Sequence, residues 1–73
     1  MQVTKEERWI IEELGELQYS SLGGRIIHLL KKLDELPNLS QESFDRIKGF
    51  ANHINKDVKA IAKKMLKERF EDI

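Results

Sequence analysis

Between Phe44 and Met65 the apolar residues Phe44, Ile47, Ala51, Ile54, Val58, Ile61 and Met65 recur at alternating intervals of 3 and 4. That spacing holds one stripe of an α-helix toward a neighbour, whereas a half-buried strand needs strict alternation. A stripe of this kind predicts helix-on-helix packing at a shallow angle. Carried outward on both sides, it predicts one long helix over roughly 41–71. Any fold for the chain must cover that seam.

The residues upstream predict two shorter helices. Thr4 followed by Glu7 forms a capping box, and Glu6 adds negative charge where the helix dipole favours it. Ile10, Leu14 and Leu17 then repeat at helical spacing, giving a first helix over roughly 5–19. Ser20-Ser21-Leu22-Gly23-Gly24 follows, and two glycines inside a helix cost about 2 kcal/mol against alanine, so they read as a C-terminal cap and turn. Ile26, Leu29, Leu33 and Leu36 define a second helix over roughly 25–36. A single helix from Lys5 to Leu36 is the alternative, because Ile11, Gly15 and Tyr19 share the phase of Leu22 onward. Pro37 ends the second helix, since it lacks the N–H that a helix would use. Ser40 caps the next one, with Leu39 and Phe44 placed as a hydrophobic staple. A link this short predicts an antiparallel αα-hairpin between the second and third helices. The expected fold is all-α, a single domain over 1–73 with three helices.

A chain of 73 residues hides only about 60% of its unfolded surface, so its own core is marginal. With no cysteine, disulfides and thiolate zinc sites are excluded, which leaves oligomerisation into a helical bundle as the expected remedy. Thirteen basic and thirteen acidic residues cancel, so no global field draws the protein to nucleic acid or anionic lipid. No apolar run exceeds three residues and MQVTKEERW lacks a secretory core, so the expectation is a cytoplasmic protein without a membrane partner.

Three residue sets are candidates for function. The apolar residues Trp9, Phe50, Leu66, Phe70 and Ile73 exceed what the seam needs, and they serve either a partner surface or intrachain burial. Lys48, Lys56, Lys59, Lys63 and Lys67 lie on one side of the expected long helix, where a lysine stripe can track phosphates or simply be solvated. A helix-turn-helix reading fails, because Glu42 and Asp45 would meet the nucleic-acid backbone. His28 and His53 stand alone, without a second metal ligand at helical spacing.

The third set is acidic: Glu12, Glu13 and Glu16 form E-E-x-x-E, and Glu42 and Asp45 form E-x-x-D. Carboxylates at such spacing share a helix face and repel unless a hard cation joins them. The segment Ile10-Ile11-Glu12-Glu13-Leu14-Gly15-Glu16-Leu17 resembles the MazG-type nucleotide pyrophosphohydrolases. That resemblance implies Mg²⁺ held by Glu12, Glu13, Glu16, Glu42 and Asp45 against a nucleoside triphosphate. Separately, Leu29-Leu30-Lys31-Lys32-Leu33-Asp34-Glu35-Leu36 is similar to the Rop family of helical-hairpin RNA-binding regulators, which implies a dimeric bundle. The leading expectation is a helical protein-interaction module that needs no cofactor, a regulator, inhibitor or assembly factor. A Mg²⁺-dependent hydrolase and a nucleic-acid-binding dimer are its rivals.

Overall fold

Thr4 caps the first helix as the sequence predicts, its Oγ1 accepting from the Glu7 backbone N–H at 3.1 Å. A computed structural model describes residues 4–70, and they form four helices rather than three. These are α1 (Lys5–Glu16), α2 (Gly23–Asp34), α3 (Gln41–Phe50) and α4 (Lys56–Met65), the last running into one π-helical turn, Leu66–Phe70. All described regular structure is helical, and no described helix is long and apolar enough to cross a membrane.

The expected long C-terminal helix is broken. After Phe50 the chain tightens, with Ala51 N–H on the Lys48 carbonyl and His53 N–H on the Phe50 carbonyl. Asn55 then caps α4, its Oδ1 accepting from the N–H groups of Asp57 at 2.9 Å and Val58 at 3.2 Å. Asn52 and Asn55 are poor helix-interior residues that compete for the backbone, and a good N-cap outweighs continuation of the helix. Ile54, in the middle of the expected seam, is consequently 93% exposed. Ile47, Val58 and Met65 are buried, while Phe44, Ala51 and Ile61 pack partly buried at the core's edge. The stripe survives the break because α3 and α4 present their apolar faces to the same core.

The first two helices are separate, and the reading of one helix from Lys5 to Leu36 does not hold. α1 closes at Glu16, where the Leu17 N–H is shared between the carbonyls of Glu13 and Leu14. The glycine pair does not cap it. Gly23 and Gly24 are instead the first residues of α2, and Gly23 is buried against the side chain of Asn55. A Cβ at Gly23 would overlap the Asn55 amide, so the glycine serves close approach of two segments rather than a turn.

Contacts along the helices set the topology. α1 and α3 run parallel, with Glu7 bonded to Ser40 at their first turns, Arg8 to Glu42, and Gln18 beside Gly49 at their far ends. α2 and α4 also run parallel: Gly23 abuts Asn55 at one end, and Arg69 grips Asp34 and Leu36 at the other. α1 packs on α2 and α3 on α4, so two αα-hairpins stack side by side, with α1 and α3 in one layer and α2 and α4 in the other. The expected hairpin of the second and third helices is replaced, since α2 and α3 are not a packed pair and residues 35–40 carry the chain between layers. The tight loops at 17–22 and 51–55 lie together at one end.

Every helix contributes to one core. Ile10 and Leu14 meet Ile26, Leu29, Leu30 and Leu33 of α2, with Ile47 and Phe50 from α3 and Val58, Ala62 and Met65 from α4. The π-helical turn redirects the last residues. It sets Phe70 edge-on to Phe44, ring centroids 5.0 Å apart, and brings Arg69 back over the C-terminus of α2.

Candidate interaction surfaces

The structure divides the expected apolar surplus. Phe50 is fully buried, Leu66 is buried and Phe70 packs partly buried against the core, so none of the three is an exposed anchor. Burial wins because α4 is a short helix with α2 and α3 on either side of it, not a long arm extending past its partners. Trp9 is 44% exposed on α1, and Ile73 lies outside the described residues.

Among the described residues, the most exposed large apolar side chains lie elsewhere. Tyr19 at 94% and Leu22 at 60% stand on the α1–α2 loop, and Ile54 at 93% stands on the α3–α4 loop. Tyr19 and Ile54 flank a shallow cleft of about 240 Å³ that also includes Gln18, Ser20, Asn52 and His53, with Gly49 in its wall. The α1–α2 loop lies close on the end of α3 there. A Cβ on Gly49 would stand 2.9 Å from Gln18 Nε2, and His53 Nδ1 accepts from the Asn55 N–H at 3.0 Å, leaving its other ring nitrogen for an outside partner. Sequence reading missed this site because Ile54 fits the heptad and Tyr19 fits the extended first helix. The only signal was the clustering of small and amide residues around each of them.

The acidic motifs do come to neighbouring helices, α1 and α3. Their carboxylates do not converge. Glu12, Glu16, Glu42 and Asp45 are exposed and Glu13 is half-buried, and among the described residues no three Asp, Glu or His side chains form a metal-binding group. Glu42 instead pairs with Arg8 at 3.4 Å, and Asp45 accepts from Gln41 Nε2 at 3.2 Å. The Arg46 guanidinium lies flat against Gly15, beside both motifs, and with Ile11, Glu42 and Asp45 borders a depression of about 300 Å³. A fixed cation at that place opposes a second one, so the residues present do not fit Mg²⁺.

The carboxylate with a built environment is Glu7, which has 3% exposure. It accepts from the Ser40 N–H at 2.8 Å, the Ser40 hydroxyl at 2.9 Å and the Ser43 hydroxyl. Burial pushes its pKa up, but those hydrogen bonds and the nearby Arg8 charge outweigh it and hold the group below the ordinary carboxylate value. All three donors meet one carboxylate oxygen, Oε2, which makes Glu7 a joint between α1 and α3.

The lysine stripe is also rearranged. Lys56, Lys59, Lys63 and Lys67 remain exposed on α4 and the turn after it. Lys48 leaves the set, because the helix break assigns it to α3, with its Nζ 5.3 Å from the centroid of the Phe44 ring. Charge instead sorts by layer. The helices of the α2/α4 layer, including residues 66–70, carry nine Lys and Arg against three acids; those of the α1/α3 layer carry four against seven. The chain has no significant match to any protein-family model, curated protein or solved structure.

Proposed function

We propose that the protein is a small helical recognition module that binds another protein through the loop end of its two hairpins. The observation that carries this reading is the near-complete exposure of Tyr19 and Ile54 on neighbouring loops, flanking one cleft. Single exposed apolar residues are ordinary on any surface; convergence from separate loops is less so. The cleft's chemistry supports a protein as occupant. Tyr, Ser, Gly and Asn together supply rigid contact area and adaptable hydrogen bonding, the combination on which protein-recognition loops rely. Gln18, Asn52 and His53 add polar groups without formal charge when the histidine is neutral, so the matching surface is uncharged and able to hydrogen bond. Loops carried on a packed helical scaffold hold such groups in place before binding.

The test uses a Tyr19→Ser/Ile54→Ser double variant, whose positions contribute little to the core. It should melt with the wild-type chain and lose the proteins that the wild-type chain retains from a native extract. A variant that retains the same proteins, or a wild-type chain that retains none and is a single chain in solution, overturns the reading. Light scattering identifies the occupant class further. A doubled mass that the double variant returns to a single chain makes the partner a second copy, and an unchanged mass makes it a different protein.

A further inference from the structure

The sequence is neutral overall, yet the folded chain is not neutral on each side. We infer that the outer face of α4, with the lysines of α2 beside it, is a second binding surface, one that takes the phosphate backbone of a nucleic-acid duplex without reading its sequence. Lys56, Lys59, Lys63, Lys64 and Lys67 are all exposed, on the side of the helix away from the buried Val58, Ala62 and Met65. Lys31 and Lys32 stand near the end of α2, in the same layer. None of these seven lysines is ion-paired with a described residue, whereas Arg8 and Arg69 are committed to Glu42 and Asp34.

The geometry suits a phosphate ladder. From Lys56 to Lys67 the helix rises about 16 Å, one lysine or more per turn, beside a backbone that offers a phosphate every ~3.4 Å of each strand's axis. Asp57 is the one acid between those two lysines. The residue type matters as much as the spacing. Lysine is a mobile point charge that meets a phosphate from many directions, while base-edge reading favours the fixed fork of arginine. A face made of lysine therefore holds the backbone and leaves the bases unread.

Two other polyanionic surfaces fit less well. An interfacial helix inserts bulky apolar side chains into lipid, and among the described residues the exposed large apolar ones, Trp9, Tyr19, Leu22 and Ile54, all lie off α4. An acidic protein interface needs a buried anchor at its centre, and the exposed apolar residue amid these lysines is only Ala60. No aromatic side chain lies among the lysines to stack a single-stranded base, which favours a duplex.

Fluorescence anisotropy with a labelled random-sequence duplex of about 20 base pairs tests the inference, comparing two charge-matched variants of the full chain. Lys59→Gln/Lys63→Gln should weaken binding about tenfold, and Lys5→Gln/Lys48→Gln on the other layer less than twofold. For the wild-type chain, log K against log salt should fall with a slope of about −3 to −4, as for roughly four neutralised phosphates. Both variants replace exposed residues, and circular dichroism establishes that each is folded. Equal losses in the two variants, a flat salt response, absence of duplex binding at low salt, or tighter binding to phosphatidylserine vesicles than to duplex would each overturn it. Because the cleft residues are unchanged in both variants, these results stand apart from the protein-recognition test.

Discussion

Glu7 and Ser43 are hydrogen-bonded across the joint between α1 and α3, carboxylate to hydroxyl, with Ser43 fully buried and Glu7 nearly so. The same carboxylate accepts the Ser40 N–H at 2.8 Å, so one side chain of the first helix completes the N-terminus of the third. Ser40 in turn caps α3 through the Ser43 N–H. Replacing Glu7 with alanine removes the acceptor and leaves two hydroxyls and a backbone N–H without it. The expected loss is about 2–4 kcal/mol in urea unfolding, larger than about 1–2 kcal/mol for Ser43→Ala.

The pH dependence of the joint follows from the same geometry. In the folded protein the Glu7 pKa lies below its unfolded value, so the group contributes full stability above about 4.3, the unfolded figure for glutamate. That contribution is lost as pH falls through the folded pKa. Urea midpoints of wild type and Glu7→Gln should therefore differ most at neutral pH and converge under acid. A constant difference down to acid pH would mean that ionisation of Glu7 plays no part.

The adjacent glycines of α2 should respond oppositely to alanine. At Gly23 a Cβ collides with Asn55, the residue that caps α4, so the variant must displace a cap to fit. Gly24 has open space around it. Gly24→Ala should stabilise by about 0.5–1 kcal/mol through helix propensity and a less free unfolded chain, and Gly23→Ala should destabilise by about 1–2 kcal/mol. Thermal unfolding of the two variants reads the difference in sign.

Arg69 joins the end of the chain to the end of α2. Its Nη1 donates to the Asp34 carbonyl at 2.6 Å and its Nη2 to the Leu36 carbonyl at 2.6 Å, satisfying acceptors that the helix terminus leaves open. Part of the bond is with the Asp34 carboxylate at 3.0 Å, where 42% side-chain exposure makes the charge term small. Arg69→Met keeps the stem and removes the donors. Stability should fall by about 1–2 kcal/mol, and amide exchange should rise selectively in the last turn of α2 and at 35–36.

Ile54 and Ile47 separate the broken helix from a continuous one. In a single heptad helix both would be seam residues with similar losses on truncation. Here Ile47 is fully buried and Ile54 is 93% exposed. Ile47→Ala should cost about 2–4 kcal/mol and Ile54→Ala less than about 0.5 kcal/mol. Denaturant midpoints for the pair decide between the two architectures.

Local signals in the chain determined the class of fold and most helix ends. Thr4 and Ser40 were visible as caps, Pro37 as a stop, and Ile10, Leu14, Ile26, Leu29 and Leu33 as inward residues, because caps and helical periodicity act within a few residues of sequence. The break at 51–55 was open to the same reading through Asn52 and Asn55, but the heptad stripe masked it. Only the tertiary structure decided which helices became neighbours. Parallel stacking of the hairpins depends on contacts between distant residues: Glu7 with Ser40 and Ser43, Gly23 with Asn55, and Arg69 with Asp34. None of these leaves a periodic trace in the sequence, since each is one side chain meeting one partner some thirty residues away. The same packing buried Phe50, exposed Ile54 and sorted a neutral chain into a basic and an acidic layer. Net charge and heptad count are sums along the chain, whereas a surface depends on which helices stand side by side.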